Sequence, residues 1–397
     1  MKRLLGLLVL AGILLASSAL AQEAADVTAG CDFSASETKN LRWLYNGNCR
    51  SGYQAAGRKE CYVELRSDTP LHHLYLQWWG LPHEWILQTE QDGEWTDKAV
   101  YGQNGFVQEY VPLEGETAIR IVSRATQERK AVLKLHEVTV FAEGDLPASV
   151  RVWEAAETAD LMVVSAHPDD EWIFMGGLIP TYAAERGLDV QVVYLTYGST
   201  GRIRELLDGL WTAGVRIHPI IGEREDKKTA TLQKAYQVWD RDELCAWLTE
   251  LVRRYQPRVM VSHDTNGEYG HGAHCAAADV CMFAYDHAGD SACFPETGAP
   301  WQMDKLYLHL YEANQQRFDW NVPLAAFGGQ TGLEVAKAAF ACHESQVGAK
   351  IKDKEGRVFV CEVADGGYYD NAVFGLYGSE VGPDMQGGDL FENVALR

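Results

Sequence analysis

The sequence predicts an α/β protein: a mostly parallel sheet with helices on both faces, preceded by an all-β sandwich module. Three observations predict it. Before about residue 150, short β-branched and aromatic runs alternate with turn signals. After it, apolar runs alternate with amphipathic helical stretches, the βαβα succession of a parallel sheet. Finally, 47% of the 397 residues are hydrophobic, enough to fill the cores of two domains.

The first element is a leader. "MKRLLGLLVLAGILLASSALA" has basic Lys2 and Arg3, an apolar stretch from Leu4, and small residues Ala19 and Ala21 where a signal peptidase cuts. Residues 1–21 are therefore expected to be a signal peptide, and the mature chain to be secreted or extracytoplasmic, the cell surface included. No later apolar run is long enough to span a bilayer, so no stable membrane insertion is expected. A formal charge of −21 repels phosphate backbones and argues against nucleic acid as a partner. The nine cysteines include no CxxC, so a zinc ribbon has no support, while export permits disulfides.

Residues 22–147 read as the β-sandwich module. "CYVELRS", "LHHLYLQWWG", "EWILQTE", "TAIRIVS" and "AVLKLHEVTVFA" are its strands, separated by turns such as "DGEW" and "GQNG". The order of aromatics and the closing "LHEVTVFAEG" are similar to galactose-binding-like, discoidin-type modules. Trp78, Trp79, Trp85 and Trp95 are candidates for stacking on sugar rings, but filling the module's core is the preferred reading. "GDLPAS", Gly144 to Ser149, marks the boundary, and residues 148–397 form the second domain.

There "DLMVVSA", "DVQVVYLT", "VRIHPII" and "RVMVSHD" read as strands. "WIFMGGLIPTYAAERG", "GRIRELLDGLWTAG" and parts of "TLQKAYQVWDRDELCAWLTELVRRYQ" read as helices, with another after "YGHGAHC".

Two histidine-rich stretches fall after strands: "AHPDDE" after the first and "HDTNGEYGHGAHC" after a later one. Ligands of open α/β sheets bind outside the carboxyl ends of strands, so both can face one crevice. His167 and Asp170 can converge from one turn, and His274 completes a three-ligand zinc set with an open position for water. Asp169, pointing elsewhere, is then a candidate base toward that water. Taken alone, H-x-x-D is more often a capped turn than a metal site.

From Leu161 to Gln346 the chain resembles the PIG-L/LmbE-type zinc N-deacetylases, which remove acetyl groups from N-acetylglucosaminyl compounds. "AHPDDE" carries the resemblance, with "PRVMVSHDTNGEYGHGAHC", "KAAFACHESQ" and the loop "GSTGRIRELL". The resemblance implies a Rossmann-like fold with His167, Asp170 and His274 as metal ligands for one Zn²⁺, iron being the alternative divalent ion. It also implies Asp169 as general base and then acid, and His271 as the cation that stabilises the oxyanion. Arg202 or Arg204, with Glu205, is expected near the substrate, and His343 near the site. His263 and Asp264 are second-layer candidates, with turn capping equally open for Asp264. The family usually reads G-H-P-D-H where this chain has "GHGAH".

The expected activity is deacetylation of an N-acetylated amino sugar of GlcNAc type, in a glycoside or glycan. Two rivals stand beside it: a catalytically silent glycan-binding surface protein, and a carbohydrate esterase on the same scaffold.

Overall fold

The computed structural model describes residues 22–353 and 355–396. The expected signal peptide lies outside the described residues. Strands β1 (Asp32–Ala35), β2 (Tyr53–Gly57), β3 (Glu60–Trp78), β4 (Trp85–Gln91), β5 (Glu94–Tyr101), β6 (Gln108–Arg124) and β7 (Ala131–Phe141) form a large antiparallel sheet. Its order is β2-β7-β3-β6-β4-β5, with β1 pairing β3. The sequence predicts two sheets of a sandwich, whereas these strands pair into one. The reason lies in β3: "CYVELRS" and "LHHLYLQWW" belong to a single strand whose register shifts between Arg66 and Leu71 and again before His73. Such irregularities bend a strand without ending it, and this one keeps Pro70 out of the ladder.

The second sheet holds β8 (Leu161–Ser165), β9 (Val190–Tyr194), β10 (Ile220–Ile221), β11 (Val259–Ser262), β12 (Lys305–His309), β13 (Gln316–Arg317) and, later in the chain, β16 (Val373–Ser379). Between them comes the hairpin β14 (Lys350–Lys352) and β15 (Val358–Val360). The order is β10-β9-β8-β11-β12-β16-β13. The first five run parallel, β16 is antiparallel to β12, and β13 is antiparallel to β16, so the sheet is mixed.

Alternation along the strands divides the sheet's two faces. Leu161, Val163, Val259 and Val261 join one core with residues of helices α3 (Thr200–Thr212) and α7 (Gly332–Ala341). Met162, Val164 and Met260 join another with α5 (Arg241–Tyr255) and α6 (Gly272–His287). Both faces are thus covered by helix, which explains the nearly continuous apolar strands.

Two expected elements differ. "WIFMGGLIPTYAAERG" is not one helix: α1 (Asp170–Ile173) ends before Gly176, which adopts φ 53°, and α2 (Leu178–Pro180) restarts after it. A Cβ on Gly176 would fall 2.7 Å from Trp320 and Asn371, so close packing sets the break. "VRIHPII" pairs only over Ile220–Ile221, because Pro219 has no amide to give the ladder. A short helix α4 (Leu232–Ala235) precedes α5.

The two sheets share one continuous hydrophobic cluster. Polar contacts join them as well: the Val107 amide donates to His218 Nε2 at 3.2 Å, and Trp153 Nε1 donates to Gln108 Oε1 at 3.1 Å. Among the described residues no disulfide joins any of the cysteines. Among the described residues no helix is long and apolar enough to cross a membrane.

Candidate metal centre

The order of the second sheet reverses beside β8: β9 follows it on one side and β11 lies on the other. Chain leaving β8 and chain leaving β11 therefore flank one crevice. A hydrogen bond from backbone to side chain ties them together, since the Ala166 amide donates to His263 Nε2 at 2.9 Å.

The loop after β8 delivers His167, Asp169 and Asp170, all buried. His167 Nδ1 lies 2.9 Å from Asp170 Oδ2, and the His167 amide donates to that same oxygen at 3.0 Å. Asp169 adopts φ 115°, a strained conformation for a residue with a side chain. That turn directs its carboxylate away from Asp170 and to within 3.2 Å of Arg202 Nη2. Its amide donates to Glu171 Oε2 at 2.9 Å, while Glu171 Oε1 accepts from Tyr194 at 2.7 Å.

The loop after β11 ends in α6, and His271 caps that helix by accepting the Ala273 amide on Nδ1 at 3.3 Å. His274 stands in the first turn. Its Nδ1 meets Glu268 Oε2 at 2.6 Å. Its Nε2 is buried, makes no aligned hydrogen bond, and lies 3.3 Å from Asp170 Oδ2. Burial opposes charge on His274, but Asp170 and Glu268 outweigh it and push its pKa up. A divalent cation would compete with a proton for the nitrogen aimed at Asp170.

The donor set fits a metal. Among the described residues His274 takes part in both clusters whose donor atoms lie within 4.8 Å of one another, His167–His271–His274 and Asp170–His263–His274. His263 has both nitrogens engaged, one by the Ala166 amide and one by Glu268 Oε1 at 3.2 Å. His271 spends Nδ1 on its helix cap. His167, Asp170 and His274 are the members best able to offer donors.

The neighbouring carboxylates are driven apart electrostatically. Burial, and then the Asp170 charge, push Asp169 up from the usual carboxylate range. Burial also opposes charge on Asp170, but His274 and His167 hold it well below that range. His271 differs from the expected cation: burial, then His274 and His167, push its pKa down to about 2. With Nδ1 accepting, the proton of this neutral ring sits on Nε2, a donor without a charge.

Of the other expected residues, Arg202 lines the cavity beside the donors, a hollow of about 140 Å³. Arg204 does not; it faces a separate cleft. Residues two apart on a helix point to different sides, so one turn of α3 cannot send both arginines to one site. Glu205 accepts the Ser345 amide at 3.0 Å and its hydroxyl at 2.6 Å, bracing the "HESQ" segment. His343 is buried behind the site, where its Nε2 accepts from Trp172 Nε1 at 3.2 Å; Gln346 reaches the cavity instead. Asp264 caps its own turn through the Asn266 amide at 2.9 Å.

Sequence reasoning missed Glu268. This buried carboxylate touches His263, His274 and His309, the last at 3.0 Å from strand β12. It also missed Asp226 and Lys228, on the cavity wall, with Asp226 Oδ1 3.5 Å from His167 Nε2. The "GHGAH" departure has a local cause: the Gly272 amide donates to Thr229 O at 2.8 Å, and a Cβ there would fall 2.3 Å from Thr229 Oγ1.

Residues 162–285 match the family model described as PIG-L: GlcNAc-PI de-N-acetylase. These residues form a PIG-L domain. Two curated relatives of the domain are named 1D-myo-inositol 2-acetamido-2-deoxy-alpha-D-glucopyranoside deacetylases. The protein from Catenulispora acidiphila is 35% identical over 176 residues, 37% of this chain and 54% of that relative. The one from Rhodococcus jostii is 34% identical over 183 residues, 39% of this chain and 62% of its own length. The chain thus spans a little over half the length of the relatives it matches. Among solved structures, N,N'-diacetylchitobiose deacetylase from Pyrococcus horikoshii is 18% identical with a TM-score of 0.38, covering 47% of this chain and 71% of that one.

Proposed function

We propose that the chain is a metal-dependent N-deacetylase that removes the acetyl group from an N-acetylated amino sugar of a glycoside or glycan. The observation that carries this reading is the buried, unbonded Nε2 of His274 facing Asp170, with Asp169 held beside them by Arg202. The names of the curated relatives support the substrate type. His167, Asp170 and His274 would hold one Zn²⁺, or iron. Bound there, such an ion polarises a carbonyl and acidifies a water.

The remaining work falls to the side chains. Asp169, raised toward neutrality, accepts the proton of the attacking water, and Arg202 fixes the carboxylate during the transfer. The His271 Nε2–H donates to the oxyanion that forms on the former carbonyl oxygen. Asp169 then returns its proton to the nitrogen as the C–N bond breaks, giving acetate and a free amine.

Three further readings belong to the proposal. The parallel half of the second sheet is Rossmann-like, supported by its strand sequence 3-2-1-4-5 when β8 is counted first. Residues 22–147 and 148–397 are separate domains, supported by the change of sheet type. The leader supports extracytoplasmic function.

Acetate release tests the activity, with zinc-loaded and chelated protein and a panel of N-acetylglucosamine, GlcNAc-inositol, chitooligosaccharides and an O-acetylated sugar. Release from an N-acetylated sugar that stops on chelation is expected. Release from the O-acetylated sugar alone would make the protein an esterase. No release by metal-loaded protein would leave a silent binder.

A further inference from the structure

The four tryptophans of the first sheet are not equivalent. Trp78 and Trp85 are buried and both donate to Glu109, at 3.0 and 2.8 Å, so they belong to the core. Trp95 lies under the Arg66 and Arg120 guanidinium groups. Trp79 alone of the four is exposed, at 36%. It sits at the end of β3 and lines a cleft of about 590 Å³ between the two sheets.

The indole is held rather than loose. A Cβ on Gly52 would fall 2.5 Å from Trp79 Cε3, so that residue's lack of a side chain lets the ring lie against the backbone. His136 flanks it at 5.9 Å between ring centroids and is itself fixed by Ser51 O, 2.6 Å from Nδ1. Across the cleft stands the first turn of α3, with Thr200, Gly201 and Arg204. The other charged groups are occupied: Glu205 accepts from Ser345, and Arg50 meets Glu344 at 3.5 Å. Arg204 is half-buried and makes no hydrogen bond or ion pair among the described residues. An aromatic face and an unspent fork of N–H donors therefore look into the same hollow.

We propose that this cleft is a second carbohydrate site, in which one pyranose ring stacks its C–H face on Trp79 and offers an acceptor oxygen to Arg204. A sugar ring has both features, an apolar face and a rim of oxygens, and a fixed aromatic plane with one charged donor selects for that combination. The cleft adjoins the metal cavity through a shared wall. Arg202 and Gln346 face the cavity, whereas Arg204 and Ser345 face the cleft. A glycan with its reacting sugar in the cavity would run over the first turn of α3 to Trp79. Resting on the deacetylase reading, the inference narrows its substrate to an oligosaccharide. The Arg204 partner is an oxygen of either an acetamido group or a uronate.

Calorimetric titration of the metal-stripped full chain separates these sources, with N,N′,N″-triacetylchitotriose in one arm and a hyaluronan tetrasaccharide in the other. Saturable binding of at least one sugar is expected, weakened at least tenfold by Trp79→Ala and largely restored in Trp79→Phe. Arg204→Met should weaken the binding arm by a similar factor. Because the indole rests on Gly52, its removal can disturb folding, so a second readout uses the unmodified chain. The Trp79 Nε1–H resonance, assigned by its loss in Trp79→Phe, should shift on adding the sugar. Neither sugar binding, Trp79→Ala binding as tightly as the parent, or an unmoved resonance would each overturn the site. Binding is read without turnover, so a protein that binds but releases no acetate would sink the catalytic reading and leave this one standing.

Discussion

Both sheets are rich in charge, yet they use it in opposite ways. On the first sheet Arg66 meets Glu64 at 2.7 Å and Glu90 at 2.5 Å, Arg120 shares Glu64, and Arg124 meets Glu60 at 3.0 Å and Asp97 at 2.5 Å. All but Arg66–Glu64, which lies within β3, are cross-strand pairs, and they are partly exposed and mutually satisfied. At the carboxyl ends of β8 and β11, by contrast, His167, Asp169, Asp170, Glu268, His271 and His274 are all buried. There Asp169 is pushed up while adjacent Asp170 is pulled down, so two identical side chains differ in proton affinity. Paired surface charge stabilises a sheet modestly; buried charge driven apart is how a site assigns a base and a ligand.

The largest effect that could break this contrast lies at His274. His274→Ala removes the buried nitrogen that faces Asp170 without an aligned hydrogen bond, and it should cost nearly all bound zinc together with all measurable acetate release. Metal analysis of the purified variant checks this, and full occupancy would take His274 out of the donor set. Asp169→Asn sharpens the contrast between the two aspartates. It should keep the metal and lose about 100- to 10,000-fold in kcat with KM nearly unchanged. Near-normal turnover would reduce Asp169 to a strained helix cap.

The difference between the sheets also governs what could be read from sequence. His167, Asp170 and His274 are legible because their ligand types follow apolar strands at motif spacing. Glu268 is not, because its role needs a backbone φ of 50° and a histidine, His309, brought in from another strand. Nothing local announces either. Arg202 faces the metal cavity and Arg204 the neighbouring cleft because helical periodicity separates them, and a motif read as a string ignores that rotation. The single continuous sheet at the front was illegible because a bulge and a strand break look alike around Pro70.

Glu268→Gln tests the residue that the sequence hid. A carboxylate that orients a metal-binding histidine commonly contributes 10- to 100-fold in metal affinity. A loss in about that range is expected in competition with a chromophoric chelator. An unchanged zinc affinity would make Glu268 a structural contact only.

At the junction of the sheets, His218 offers a smaller effect with a definite sign. Burial pushes its pKa down to about 3, and its ring packs on Phe106 at 4.9 Å. Between about pH 6.5 and 3 the unfolded chain binds a proton there that the folded chain does not, so stability falls as pH falls. The slope from this one group reaches at most about 1.4 kcal/mol per pH unit. Urea unfolding at pH 7, 5.5 and 4.5 should show a shallower loss in His218→Gln than in the parent. Equal losses would remove His218 as the cause.

The smallest expected effect closes the comparison from the other side. Arg124→Met breaks two cross-strand pairs on the first sheet, to Glu60 and Asp97, while keeping most of the apolar stem. Exposed pairs of this kind are worth about 0–1 kcal/mol, because water and salt already compete for both charges. Unfolding free energy should therefore drop by no more than about 1 kcal/mol, and 0.5 M NaCl should shrink the difference further. Zinc content and kcat should stay at parental values, since no contact of Arg124 leads to the metal cavity. A drop of several kcal/mol, or any loss of metal, would mean that the two sheets do not divide the work of charge as argued, and that the front sheet's ion pairs help to hold the site together.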